Sequence, residues 1–282
     1  RPYFNDDQIL EMILSMAGNN AINRWKEAIG VPQHADGGGY SSVGRFGEGQ
    51  TIDPSLPRGS YMTPTSAQIA MVESRIVERS ENNLGELTCS TVSRRPVLES
   101  RELVERKLLE CRSRVPRIPL MDEQMTLARI PSAKPDATMY HLARLLARFP
   151  IAGPTRYAGI QEAWEKGDLD PVLKAQIAWI VARQDRAWYV LELAKKRLIA
   201  AGWTLDQIFS LDGDWEDFSP SERALFNVAQ KLGNAPVVLD GHDVKRAVEL
   251  AGPRDVVQTV SFVTNMASFN RISEATGLPT EN

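Results

Sequence analysis

The stretch "DPVLKAQIAWIVARQDRAWYVLELAKKRLIAAG", residues 170–202, decides the fold. Asp170 before Pro171 marks a helix start: the carboxylate accepts N–H groups that the first turn leaves unpaired, and proline's fixed φ suits the first helical position. Gly202 marks the stop, where a left-handed residue closes the last turn. Between them apolar side chains occupy nearly every face, so the pattern predicts one long buried helix with an aromatic centre at Trp179, Trp188 and Tyr189.

The same punctuation recurs outward from it. "TMYHLARLLARF" stops before Pro150 and "PTRYAGIQEAWEKG" ends at Gly167. Thr204 opens "LDQIFSL", Ser219 with Glu222 forms a capping box ahead of "RALFNVAQKL", Asp240 opens "HDVKRAVELAG", and Arg254 begins the last helix. Only "APVVLD" reads as a strand, and it is short. In the first half Ser100 caps "SRELVERKLLECRSR", and "SAQIAMVESRIVERSENN" from Ser66 is a further helical segment. The fold class that follows is all-α.

One element occurs twice. "NNAINRWKEAIGVP" (19–32) and "NMASFNRISEATGLP" (265–279) align Asn23 with Asn270, Arg24 with Arg271, Glu27 with Glu274, Gly30 with Gly277 and Pro32 with Pro279. Gly and Pro at the end are what any helix stop uses; the Asn-Arg pair is required by no cap. A weaker echo joins "AQIAMVESR" at 67–75 to "AQIAWIVAR" at 175–183. Together they suggest an ancestral tandem array entered partway. Ile9, Ile13, Met16 and Ala17 form the apolar face assigned to the first helix. Burying that face requires a docking partner, which the sequence argument places on another polypeptide, a second copy or the front part of a longer product. The start at Arg1 fits either a removed leader or a longer gene product.

A net charge of -3 with 24% charged residues gives no electrostatic case for nucleic acid or an anionic membrane, and no apolar run is long enough to span a bilayer. Cys89 and Cys111 stand far apart in no CxxC pattern, which points to a reducing, cytoplasmic setting. His34, His141 and His242 are scattered, so no metal site is expected and no cofactor is called for. In "LDGDWED" the glycine and closing glutamate of a calcium loop are not at their required places, and the stretch reads as an acidic turn. The glycines at 44, 47 and 49 follow no strand, so they are not a dinucleotide fingerprint.

The order of elements after residue 136, a helical pair, a long aromatic-centred helix, "AAGWTLDQIFSL", "SPSERALFNVAQKL", a short Asp-capped helix and a terminal NRxxEAxGxP, resembles the alkylhydroperoxidase D-like and carboxymuconolactone decarboxylase-like superfamily. The resemblance implies four parts: an orphan helix at 1–32 like the tail of a preceding unit, a Gly/Pro-rich linker at 33–64, a helical connector region at 65–135, and the superfamily-like domain at 136–282. It also implies a redox site on the long helix, with CxxC, a following His and an earlier Glu. Here the cysteine positions are Ala187 and Val190, the His position is Ala194, and the Glu position falls at or next to Gln176. A dithiol peroxidase needs a thiolate and a resolving thiol, which methyl groups cannot supply.

Two readings of the helix remain open. Tyr189, Glu192 and Asp185 are candidate acid-base residues, with Trp188, Arg186 and Gln176 lining a ligand site. Alternatively Trp179, Trp188 and Tyr189 are core aromatics and Asp185, Arg186 and Glu192 form internal ion pairs. The chain is accordingly read as a scaffold, subunit or small-ligand-binding member, or as a peroxidase-like or decarboxylating enzyme with a non-cysteine site. A homo-oligomer is expected, since the superfamily generally forms trimers or hexamers.

Overall fold

A computed structural model describes residues 3–29, 98–234 and 239–281. The Ser66 segment with its AQIA echo, the Gly/Pro-rich stretch, Cys89 and most of "APVVLD" lie outside these. All regular structure in the described residues is helical: α1 (Asp6–Ile29), α2 (Arg101–Arg112), α3 (Glu123–Arg129), α4 (Tyr140–Leu146), α5 (Ala152–Glu165), α6 (Pro171–Asp185), α7 (Trp188–Ala200), α8 (Leu205–Ser210), α9 (Pro220–Gly233), α10 (Gly241–Ala251) and α11 (Pro253–Thr276).

The caps hold where local chemistry sets them. Ser100 accepts from Leu103 N, and Asp170 from the N–H groups of Val172 and Leu173. Thr204, Ser219 and Asp240 each form a complete capping box. Gly277 closes α11 at φ 65°, a left-handed conformation that costs glycine nothing.

The expected single helix over 171–202 is two. Arg186 adopts φ 51°, ψ 40°, and Ala187 leaves the helical region before α7 begins. No glycine or proline marks this break, because side chains from elsewhere impose it. Glu99 pairs with both Arg183 and Arg186, and the Glu274 carboxylate takes the free N–H of Trp188. The resulting α6–α7 hairpin and α11 form the centre, and α11 also packs on α1, α5, α9 and α10. Edge-to-face pairs fix the layers: Trp164 on Phe262 at 5.2 Å, Trp179 on Phe209 at 5.3 Å and Tyr189 on Phe269 at 5.6 Å between centroids.

The first helix corrects two expectations. Its buried face is Leu10, Leu14, Ala17, Arg24 and Ala28; Ile9 and Ile13 are half-buried, and Met16 is 74% exposed. The burial that the sequence argument assigns to another polypeptide is supplied within the chain, chiefly by α11. The two helices that share NRxxEAxGxP therefore pack on each other.

Candidate functional site: the joint between α6 and α7

Residues 185–188 connect α6 to α7, and both copies of the repeated motif converge on them. Asn270 Nδ2 donates to Asp185 Oδ2 at 2.9 Å, while Arg24 and Arg271 both act on the Asp185 charge. Arg24 is buried, donates to Asn20 Oδ1 at 2.9 Å and also reaches the Leu232 carbonyl. Burial, then the neighbouring Arg271, lowers its pKa to about 10, with Asp185 working the other way. Burial pushes the Asp185 carboxyl above its ordinary range, against the pull of Asn270 and the two arginines. Four residues on from Asn270, Glu274 accepts from Trp188 N at 2.9 Å and pairs with Arg114 at 3.1 Å. The motif thus supplies the clamp for the joint: Asn270 holds the end of α6, and Glu274 caps the start of α7.

The positions that would carry dithiol chemistry are closed. Ala187, Val190 and Ala194 are 0% exposed and Gln176 is 2% exposed. A helix start favours a thiolate because its N–H groups and dipole attract negative charge. At α7 a carboxylate, Glu274, occupies that role. Among the described residues the cysteine is Cys111, which is buried with its thiol toward the Leu278 carbonyl at 3.6 Å. Burial pushes its pKa up to about 11, so it is held as the unreactive thiol.

The six sequence candidates do not form one site. Tyr189 is buried and its hydroxyl donates to Glu281 Oε1 at 2.8 Å; the same oxygen accepts from His141 N at 2.8 Å. His141 Nδ1 lies 3.0 Å from the Pro279 carbonyl, and Lys196 Nζ donates to the Glu281 carbonyl at 2.9 Å. Burial, reinforced by Glu281, raises the Tyr189 hydroxyl well above its usual pKa. Burial likewise raises the Glu281 carboxyl, against the donors from His141 and Tyr189. Glu192 meets a different set: Arg112 Nη2 at 2.9 Å, and Lys195 Nζ 2.5 Å from Oε2 without the alignment of a hydrogen bond. Burial opposes its charge, but Lys195 and Arg112 prevail and its pKa falls. Arg186 is exposed on Glu99, and Trp188 is half-buried against the core.

The reading of internal ion pairs and core aromatics therefore describes most of these residues. Sequence reasoning passed over His141, Glu281 and Glu274. Only Glu274 had a signal, as part of the repeat.

A deeper ion cluster backs α6. Arg183, fully buried, donates to Asp212 Oδ2 at 2.8 Å, Glu99 Oε2 at 3.0 Å and the Glu99 carbonyl at 2.7 Å, while Trp179 Nε1 donates to Asp212 Oδ1 at 2.8 Å. The "LDGDWED" turn thus contributes Asp212 as a structural acceptor. Asp240, His242 and Asp243 gather ligand-type atoms within 4.8 Å of one another, but both oxygens of Asp243 already take the Lys231 ammonium at 2.7 Å. No protein-family model, characterised protein or solved structure matches this chain.

Proposed function

We propose that the chain is a dithiol-free protein of the alkylhydroperoxidase D-like and carboxymuconolactone decarboxylase-like kind, serving as a scaffold, subunit or small-ligand-binding protein rather than a thiol peroxidase. The supporting observation is the closed α7 start: Ala187, Val190 and Ala194 are packed into the core, and a carboxylate sits on the N–H that would favour a thiolate. Consumption of an alkyl hydroperoxide in the presence of dithiothreitol, measured before and after iodoacetamide treatment, tests this. Equal rates are expected. Turnover abolished by alkylation would overturn the reading.

A second reading draws on Tyr189 and Glu281, whose hydroxyl and carboxylate form an acid-base pair, with the backbone N–H of His141 on the same carboxylate oxygen and the His141 imidazole Nδ1 3.9 Å from it. It makes the protein an enzyme of the same superfamily that moves a proton through Tyr189, with Glu192 outside the site. Tyr189→Phe would then abolish turnover of a lactone or keto acid, and Glu192→Gln would spare it.

Self-association belongs to the first reading. Met12 and Met16 on one side of α1, and Ile22, Trp25 and Ile29 on another, are exposed, apolar side chains that a second copy of the chain could cover. Light scattering at micromolar concentration should give a multiple of 31.4 kDa, and a monomer would contradict it.

A further inference from the structure

A cavity of about 300 Å³ opens between α2, α7 and α8, lined by Glu105, Leu108, Leu109, Arg112, Lys195, Leu205 and Phe209. Its volume is at the small end of those that hold organic ligands. The two ends differ in character.

At one end Arg112 and Lys195 share the single buried carboxylate of Glu192, which is 2% exposed. Only Nη2 of the Arg112 guanidinium is engaged there, and among the described residues its other N–H groups have no partner. One positive charge is left uncompensated, on a fork shaped to accept a carboxylate through two parallel hydrogen bonds. The Glu192 carboxylate holds that fork and the Lys195 ammonium in place from below.

At the other end Leu108, Leu109, Leu205 and Phe209 form an apolar wall, with Leu109 60% and Leu205 39% exposed. Phe209 is fixed by Trp179 at its edge and by the Arg101 guanidinium 5.0 Å from its centroid. Arg101 is itself held by Glu105 and Asp206, so the acids at this end reject a second anion and direct a ligand's charge toward Arg112.

We propose that this cavity binds a small amphipathic carboxylate, its carboxylate on Arg112 and Lys195 and its hydrocarbon chain on Leu109, Leu205 and Phe209. The inference rests on the small-ligand-binding reading. The hydroperoxide assay does not touch this cavity, so either result can fail without the other.

The test is isothermal titration of the full chain with sodium octanoate, with acetate and 1-octanol as probes carrying only the charge or only the chain. Saturable 1:1 binding of octanoate is expected, at least tenfold tighter than either control. Arg112→Gln should weaken it about tenfold, the loss of one charge-assisted pair. Leu109→Asp, on an exposed position that folding tolerates, should weaken it by a similar factor through the apolar wall. No saturable binding of octanoate up to millimolar concentration would overturn the proposal. So would binding that both variants leave unchanged, or that 1-octanol matches.

Discussion

Replacing Asp185 by Ala removes a carboxylate on which two arginines, one from each copy of one motif, both act. Arg24 is buried, and its lowered pKa shows that burial and Arg271 already strain its charge. Stripping one member from a buried charge cluster costs about 3–5 kcal/mol, since the charge left behind is neither solvated nor paired. Asp185 returns part of that, because its raised pKa shows that its own ionisation is penalised in the fold. We place the net loss at about 2–3 kcal/mol, which for a chain of this size lowers the Tm by about 3–5 °C. Asp185→Asn strands the same charge but can keep the contact with Asn270, and should cost less than the Ala variant by about 1 kcal/mol, the worth of that hydrogen bond. Urea denaturation followed by circular dichroism reads both values. A cycle with Arg24→Met should show coupling of about 1–2 kcal/mol, since removing the stranded cation relieves the defect. Wild-type stability in Asp185→Ala, within about 0.5 kcal/mol, or strict additivity in the cycle, would refute the idea that the repeated motif is retained to build this junction.

Three further outcomes follow from the same structure. Glu274→Ala uncaps α7 and frees Arg114, and should cost about 1–2 kcal/mol in the same denaturation assay. Native Cys111 should be alkylated only as fast as the fold opens, so mass spectrometry of its peptide should show protection that disappears in denaturant. Stability carried by Asp243 should be full above the ordinary carboxylate range and lost as pH falls through its depressed folded pKa; burial opposes that depression, and Lys231 outweighs it. Asp243→Asn should then flatten the acid limb of the stability profile. Asp185 and Glu281 have the opposite sign: their folded pKa values are raised, so their contribution declines as pH climbs from the ordinary value through the folded one.

Elements whose ends are set within four residues were legible in the sequence. Ser100, Asp170, Thr204, Ser219, Asp240 and Gly277 each act on their own turn, and each marks a helix end in the structure. The break at Arg186 was not legible. "ARQDRAW" contains good helix formers, and the left-handed turn is imposed by Glu99 from 87 residues before it and by Glu274 from 86 residues beyond Trp188. The site divided for the same reason. Tyr189 and Glu192 lie three residues apart, yet Glu281 takes one and Arg112 with Lys195 takes the other, and only the fold brings those partners in. The repeated Asn-Arg pair was visible, but its role needed the second helix beside the first.

Initial rates for a lactone, a keto acid and an alkyl hydroperoxide, measured on wild type and Tyr189→Phe across pH 5–9, test the central claim most directly. The closed α7 start and the internally paired candidates predict no rate above the uncatalysed reaction in either protein. A pH-dependent rate in wild type that Tyr189→Phe abolishes would contradict the account and establish the Tyr189–Glu281 pair as catalytic.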